Sequence, residues 1–170
     1  MPDSENRQDI GRGLARLALP MTREACMSLP NVSGSTIIPC LRYRDAHAAI
    51  DWLCKAFGFQ KQAVYDDEQG SVAHAQLVYG NGMLMLGSVR DNDFGRHLLQ
   101  PDEANGLETQ CPCVIVKDCK AHYEQAKAAG ARIIDDYAEK DYGGAGYSCR
   151  DPEGHLWWFG SYDPWADHAE

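Results

Sequence analysis

The stretch Arg150-Asp151-Pro152-Glu153-Gly154-His155-Leu156-Trp157-Trp158-Phe159-Gly160 decides the reading of this chain. Asp151-Pro152-Glu153-Gly154 reads as a tight turn, because proline presets one backbone angle and glycine tolerates the rest. His155–Gly160 then reads as a strand. Its alternation puts Leu156 and Trp158 on one face and Trp157 and Phe159 on the other. One tryptophan should therefore enter a cavity while its neighbour packs towards a helix layer. Working back, Gly146–Arg150 and Arg132–Tyr137 read as strands. Cys119, His122, Tyr123, Ala126 and Ala129 recur at helical spacing, with Asp118 as N-cap and Gly130 as the stop. Cys113–Val116 opens the unit as a strand. The order is strand, helix, strand, strand, strand.

The same order occurs earlier. Ser35–Tyr43 reads as a strand, and Asp45 caps a helix whose stripe is Ala46, Ala49, Ile50, Leu53 and Phe57, stopped by Gly58. Gln60–Tyr65, Val72–Tyr79 and Met83–Ser88 follow as strands, separated by glycine-bearing turns. One helix covers one face of a four-stranded sheet, so a second sheet is needed to complete a core. The expected fold is α+β: two paired βαβββ modules, their mixed sheets curled around a central cavity. Module one spans 35–90 and module two 111–165, within one domain of 35–165. Residues 1–34 read as an N-terminal extension, polar and dispensable, and 166–170 as a tail.

Charge and cysteine content narrow the function. Sixteen basic against twenty-five acidic residues give a net charge of -9, which repels a phosphate backbone, so no nucleic-acid partner is expected. There is no apolar run long enough for a membrane helix. Seven cysteines without a regular framework or a secretory signal point to reduced thiols and a cytoplasmic location. Neither G-x-S-x-G nor H-E-x-x-H is present. Asp51 and Glu124 fall on helices and read as surface charge.

The paired modules, the helix entry Leu41-Arg42-Tyr43-Arg44-Asp45, the helix exit Ala128-Ala129-Gly130-Ala131 and the turn Arg150–His155 together resemble the vicinal oxygen chelate superfamily. That superfamily includes glyoxalase I, bleomycin-resistance proteins and extradiol dioxygenases. Its enzymes hold a divalent metal on the concave faces through His, Gln or Glu near the middle of four strands. Counting from the caps and the turn carries those positions onto Ile38, Met85, Pro112 and Trp158, with Cys111 or Cys113 one residue away. None of the four suits a hard cation, so neither a metal nor another cofactor is expected. The resemblance also places a carboxylate-binding arginine at Arg42.

His74 and Gln76 share a strand face that either lines the pocket or meets solvent. Tyr142 and Tyr147 flank a glycine-rich loop and, with Trp158, could form an aromatic wall able to stack a flat ligand. The candidate ligand-binding set is Ile38, Arg42, His74, Gln76, Met85, Tyr142, Tyr147 and Trp158. The expected function is capture of a small aromatic or heterocyclic molecule in an apolar cavity without the metal, by a homodimer of the bleomycin-resistance-like branch. The alternative is a metal-dependent lyase, isomerase or dioxygenase acting on a small oxygenated substrate. A third possibility is a structural dimer whose cavity is filled by side chains.

Overall fold

The helix ends are built as their sequences dictate. In the computed structural model, which describes residues 34–166, the Asp45 carboxylate accepts the N–H of Ala48 and the Asp118 carboxylate that of Ala121. Each side chain thereby satisfies a first-turn donor that has no partner within its helix. Gly58 ends the first helix at φ 77°, in the left-handed region open to glycine. The first module runs β1 (Cys40–Tyr43), α1 (Ala46–Phe57), β2 (Gln60–Asp66), β3 (Val72–Tyr79) and β4 (Gly82–Ser88). The second runs β5 (Cys113–Ile115), α2 (Cys119–Ala128), β6 (Arg132–Glu139), β7 (Ala145–Arg150) and β8 (Leu156–Gly160). The expected N-terminal extension and tail fall almost wholly outside the described residues.

The sheets have orders β1-β4-β3-β2 and β5-β8-β7-β6, with the first strand of each module parallel to its last and the remaining pairs antiparallel. The fold is α+β with two mixed four-stranded sheets, as expected. The edge strands β2 and β6 carry register shifts, which bend and twist that edge of each sheet. β1 is shorter than expected. Pro39 has no N–H to give, and pairing begins with its carbonyl, which accepts from Met85 at 3.0 Å. Ile37 lies ahead of the strand, 83% exposed.

The modules meet through their helix sides. Phe57 of α1 packs on Phe159 of β8 with ring centroids 4.6 Å apart, and Phe59 and Phe57 both reach Trp157. The indole N–H of Trp52 donates to the Ala129 carbonyl at 2.9 Å, and Gln125 donates to the last carbonyls of α1, Lys55 and Ala56. The Asp151–Gly154 turn contributes more than its geometry. Asp151 accepts from the Tyr43 hydroxyl at 2.7 Å and from the Trp157 indole at 3.1 Å. Burial raises its carboxyl above the usual range, although these bonds favour the anion. Glu153 receives the backbone N–H groups of Arg44 and Asp45, at 2.7 and 2.8 Å, on its two carboxylate oxygens. A turn of module two thus completes the N-terminus of the helix of module one.

The connection between modules is also tied down. His155 donates from Nε2 to the Arg42 carbonyl at 2.9 Å and from Nδ1 to Glu108 at 3.0 Å. Arg150 donates to the carbonyls of Gly106 and Gly154. No helix among the described residues is long and apolar enough to cross a membrane.

Candidate functional site: the open sheet faces

Each sheet packs one face on the helices and leaves the other open. Alternation decides which residues go where. Tyr43, Leu77, Leu84 and Leu86 are buried on the helix side of the first sheet, so Cys40 and Arg42, His74 and Gln76, and Met83 and Met85 lie on its open side. In the second sheet Tyr147, Cys149, Trp157 and Phe159 are buried towards the helices. Gly146, Ser148, Cys113 and Trp158 lie on the open side.

On the first open face, Cys40 pairs with Met85 and Arg42 with Gly87 in the parallel ladder. Gly87 lets the arginine lie close: a Cβ on it would stand 2.4 Å from Arg42 Nη1 and 3.1 Å from the Ala73 carbonyl oxygen. The arginine side chain therefore lies across the glycine. Gln76 is the neighbour of Met85 on β3 and donates an amide N–H to His74 Nε2 at 3.1 Å. That bond assigns Nε2 as an acceptor and leaves its lone pair already engaged. Tyr65 stacks on the His74 ring with centroids 6.3 Å apart.

On the second open face, Cys113 pairs with Trp158 and Ser148 lies on its other side. A Cβ on Gly146 would come within 2.6 Å of Trp158 Cζ2, so the indole lies against glycine backbone. Lys140 Nζ stands 4.9 Å from the Trp158 ring centroid, a cation–π contact on the indole. Ser148 donates to Asp135 at 2.5 Å. Tyr142 is in the glycine-rich loop, 61% exposed, edge-on to Tyr162.

Six of the eight expected ligand residues are on the open faces or beside them: Arg42, His74, Gln76, Met85, Tyr142 and Trp158. Ile38 precedes β1 and belongs to no strand. Tyr147 is corrected by its register. It pairs with Phe159, and both project to the helix side. It is fully buried and its hydroxyl donates to His122 Nδ1 at 2.6 Å. His122 Nε2 in turn donates to the Phe57 carbonyl at 3.1 Å. Burial holds the His122 imidazole below its usual pKa, and this neutral tautomer is the one its partners require. The phenol of Tyr147 is pushed up by the same burial.

The metal positions also shift. In both modules the residue beside the last strand is a cysteine: Cys40 opposite Met85, and Cys113 opposite Trp158. The sequence count had reached Ile38 and Pro112 instead. Two thiols, a thioether and an indole do not fit a hard divalent ion, which takes oxygen or imidazole donors. Among the described residues no three His, Cys, Asp or Glu side chains are grouped to hold a metal. Burial raises the Cys111 and Cys113 thiols, which keeps them protonated and poor nucleophiles near neutral pH. The open faces offer stacking, a guanidinium, amide polarity and the Ser148–Asp135 hydroxyl–carboxylate pair.

A family model described as the Glyoxalase/Bleomycin resistance protein/Dioxygenase superfamily matches residues 36–159. Comparison with curated protein sequences gives no match. Among solved structures, TioX from Micromonospora sp. ML1 is 31% identical at a TM-score of 0.58, over 75% of this chain and 98% of that one. A bleomycin resistance determinant encoded on transposon Tn5 is 20% identical at a TM-score of 0.54, over 76% of this chain and 98% of that one. A variant of glyoxalase I from Zea mays is 17% identical at a TM-score of 0.60, over 76% of this chain and 46% of that one.

Proposed function

Because this chain belongs to the Glyoxalase/Bleomycin resistance protein/Dioxygenase superfamily, we propose that it is a small-molecule binding protein. It holds a flat aromatic or heterocyclic ligand against an apolar sheet face and uses no metal. The observation that carries this reading is the donor set at the paired strand positions, Cys40 with Met85 and Cys113 with Trp158. These side chains replace hard ligands with soft and aromatic surface. Trp158, supported on the Gly146 backbone, is the stacking platform with Tyr142 of the same module, and Arg42, His74, Gln76 and Met85 of a second copy face it across the dimer. The metal-dependent lyase or dioxygenase alternative asks for hard donors that these positions lack.

The binding unit is a homodimer. The helix sides of the two modules already cover each other within one chain, so the open face of one module is free to pair with the open face of module two of a second copy. Exposed Ile115 and Tyr65 lie on those sheets and favour such coverage. The compartment is cytoplasmic, supported by six described cysteines that are all unpaired.

The test has three readings on one preparation. Light scattering should give a mass near twice the chain's 18.9 kDa. Elemental analysis after incubation with Ni, Zn, Mn and Fe should find no stoichiometric metal. Titration with aromatic compounds should quench tryptophan fluorescence in the native protein and not in Trp158→Ala. One bound metal per chain, or a monomer, would overturn the corresponding part.

A further inference from the structure

We infer that His155 is a proton-operated latch: as an imidazolium it ties β1 to the segment that joins the modules, and as a neutral ring it lets β1 go. The inference stands on the geometry of one side chain and does not depend on the binding reading above. His155 is the first residue after the Asp151–Gly154 turn, and its backbone N–H donates to Asp151 Oδ1 at 3.0 Å. Its ring is buried and meets two separate parts of the chain. Nε2 stands 2.9 Å from the carbonyl oxygen of Arg42 on β1. Nδ1 stands 3.0 Å from Glu108 Oε1, in the segment between β4 and β5.

Both partners are acceptors, a carbonyl and a carboxylate. A neutral imidazole has one N–H and one lone pair, so it can serve only one of them; the imidazolium serves both. The groups around the ring favour that charge. Asp151 faces it from the turn and Glu108 from the connecting segment. Tyr43 of β1 stands edge-on, with ring centroids 4.7 Å apart, and spends its hydroxyl on Asp151. Glu153 is turned to the N–H groups of Arg44 and Asp45. Arg150 of β7 is turned to the carbonyls of Gly154 and Gly106. Burial opposes the imidazolium, but Glu108, Asp151 and the Arg42 carbonyl hold the His155 pKa above its usual value.

Loss of the proton forces a choice between the two partners. A lone pair turned on Glu108 would face a full negative charge, whereas one turned on Arg42 faces a carbonyl dipole. The remaining proton therefore stays on Nδ1 with Glu108. Nε2 then opposes the Arg42 oxygen, and that contact opens. β1 has four residues and pairs on one side only, with β4. It also carries Cys40 and Arg42 on the open face, so the proton on His155 acts on the strand that presents them. The latched form is present below the folded midpoint and is lost as pH rises through it.

The test is an NMR titration of the full-length protein between about pH 5 and 10, with circular dichroism alongside. The ring nitrogens should read doubly protonated at low pH and as the Nδ1–H tautomer at high pH. The Arg42 carbonyl carbon should move upfield with the His155 midpoint while the dichroism stays constant. In Glu108→Gln the new amide can donate to Nδ1, so the neutral ring can keep Nε2–H on Arg42. That variant should show the Nε2–H tautomer and an Arg42 carbonyl that no longer follows the titration. A native Nε2–H tautomer, a ring still protonated at the upper limit, or an Arg42 carbonyl that ignores His155 overturns the inference. So does a carbonyl that moves equally in Glu108→Gln. Unfolding at the His155 midpoint also overturns it, and makes the residue a stabiliser of the whole fold.

Discussion

Replacing Tyr147 by phenylalanine separates two roles that a sequence cannot distinguish, wall of a ligand site and prop of the core. In the native protein its hydroxyl donates to His122 Nδ1 at 2.6 Å, and both groups are removed from water. The substitution deletes the donor and keeps the ring. It loses a hydrogen bond whose net value is about 1 kcal/mol, and it leaves a buried imidazole nitrogen empty, for a total of about 1–3 kcal/mol. For a chain of this size that corresponds to a fall in thermal midpoint of roughly 2–4 °C per kcal/mol. The cost depends on pH with a definite sign. His122 has a lowered folded pKa, so its contribution to stability is present above the unfolded value and is lost as pH falls through the folded one. The gap between native and Tyr147→Phe should therefore be widest near neutrality and narrow towards pH 5. Urea unfolding at several pH values reads it, and binding of an aromatic probe should not change. A variant as stable as the native protein, or one that binds less tightly at equal stability, would refute the assignment of Tyr147 to the core.

Gly146→Ala should place a methyl 2.6 Å from Trp158 Cζ2 and 3.2 Å from the Phe159 carbonyl oxygen, at a cost of about 1–3 kcal/mol in urea unfolding. It should also remove tryptophan quenching by aromatic probes. Lys140→Ala should uncover the Trp158 ring and strengthen binding of a neutral aromatic by about two- to fivefold, the equivalent of one exposed cation–π contact; weaker binding would mean that the lysine assists the ligand. His155 has a pKa raised above its usual value: burial opposes its charge, but Glu108, Asp151 and the Arg42 carbonyl outweigh it. Its contribution is present below the unfolded pKa and is lost as pH rises through the raised folded value. Glu108→Gln should lower the His155 midpoint in an NMR titration, and an unmoved midpoint would deny the pairing.

Most of the fold was legible because its signals are local. Asp45, Asp118, Gly58 and Gly130 mark helix ends by chemistry that acts within one turn. The alternation in Leu156–Phe159 assigned Trp157 and Trp158 to opposite faces correctly, because each strand has a single period. The site was harder, because it depends on register between strands. Counting from Asp45 assumed a continuous strand back to Ser35. Pro39 instead delays pairing, so Cys40 rather than Ile38 stands beside Met85. Tyr147 was misassigned since its aromatic neighbours in sequence suggested a wall, whereas its pairing with Phe159 turns it inward.

The carboxylate of Glu153 on the first turn of α1 has a consequence for the order in which the molecule can be assembled. As the chain is synthesised, Ala46–Phe57 emerges long before residue 153, with two backbone N–H groups ahead of its first turn still in water. Hydrogen bonds from Arg44 and Asp45 close only when the final hairpin arrives, together with the Asp151 oxygen that receives Tyr43. The early half is thus unfinished until the late half is made, and an interrupted chain lacks its own terminus for the helix. Loss and recovery of structure should accordingly be one event for both modules, with a single transition and no surviving half.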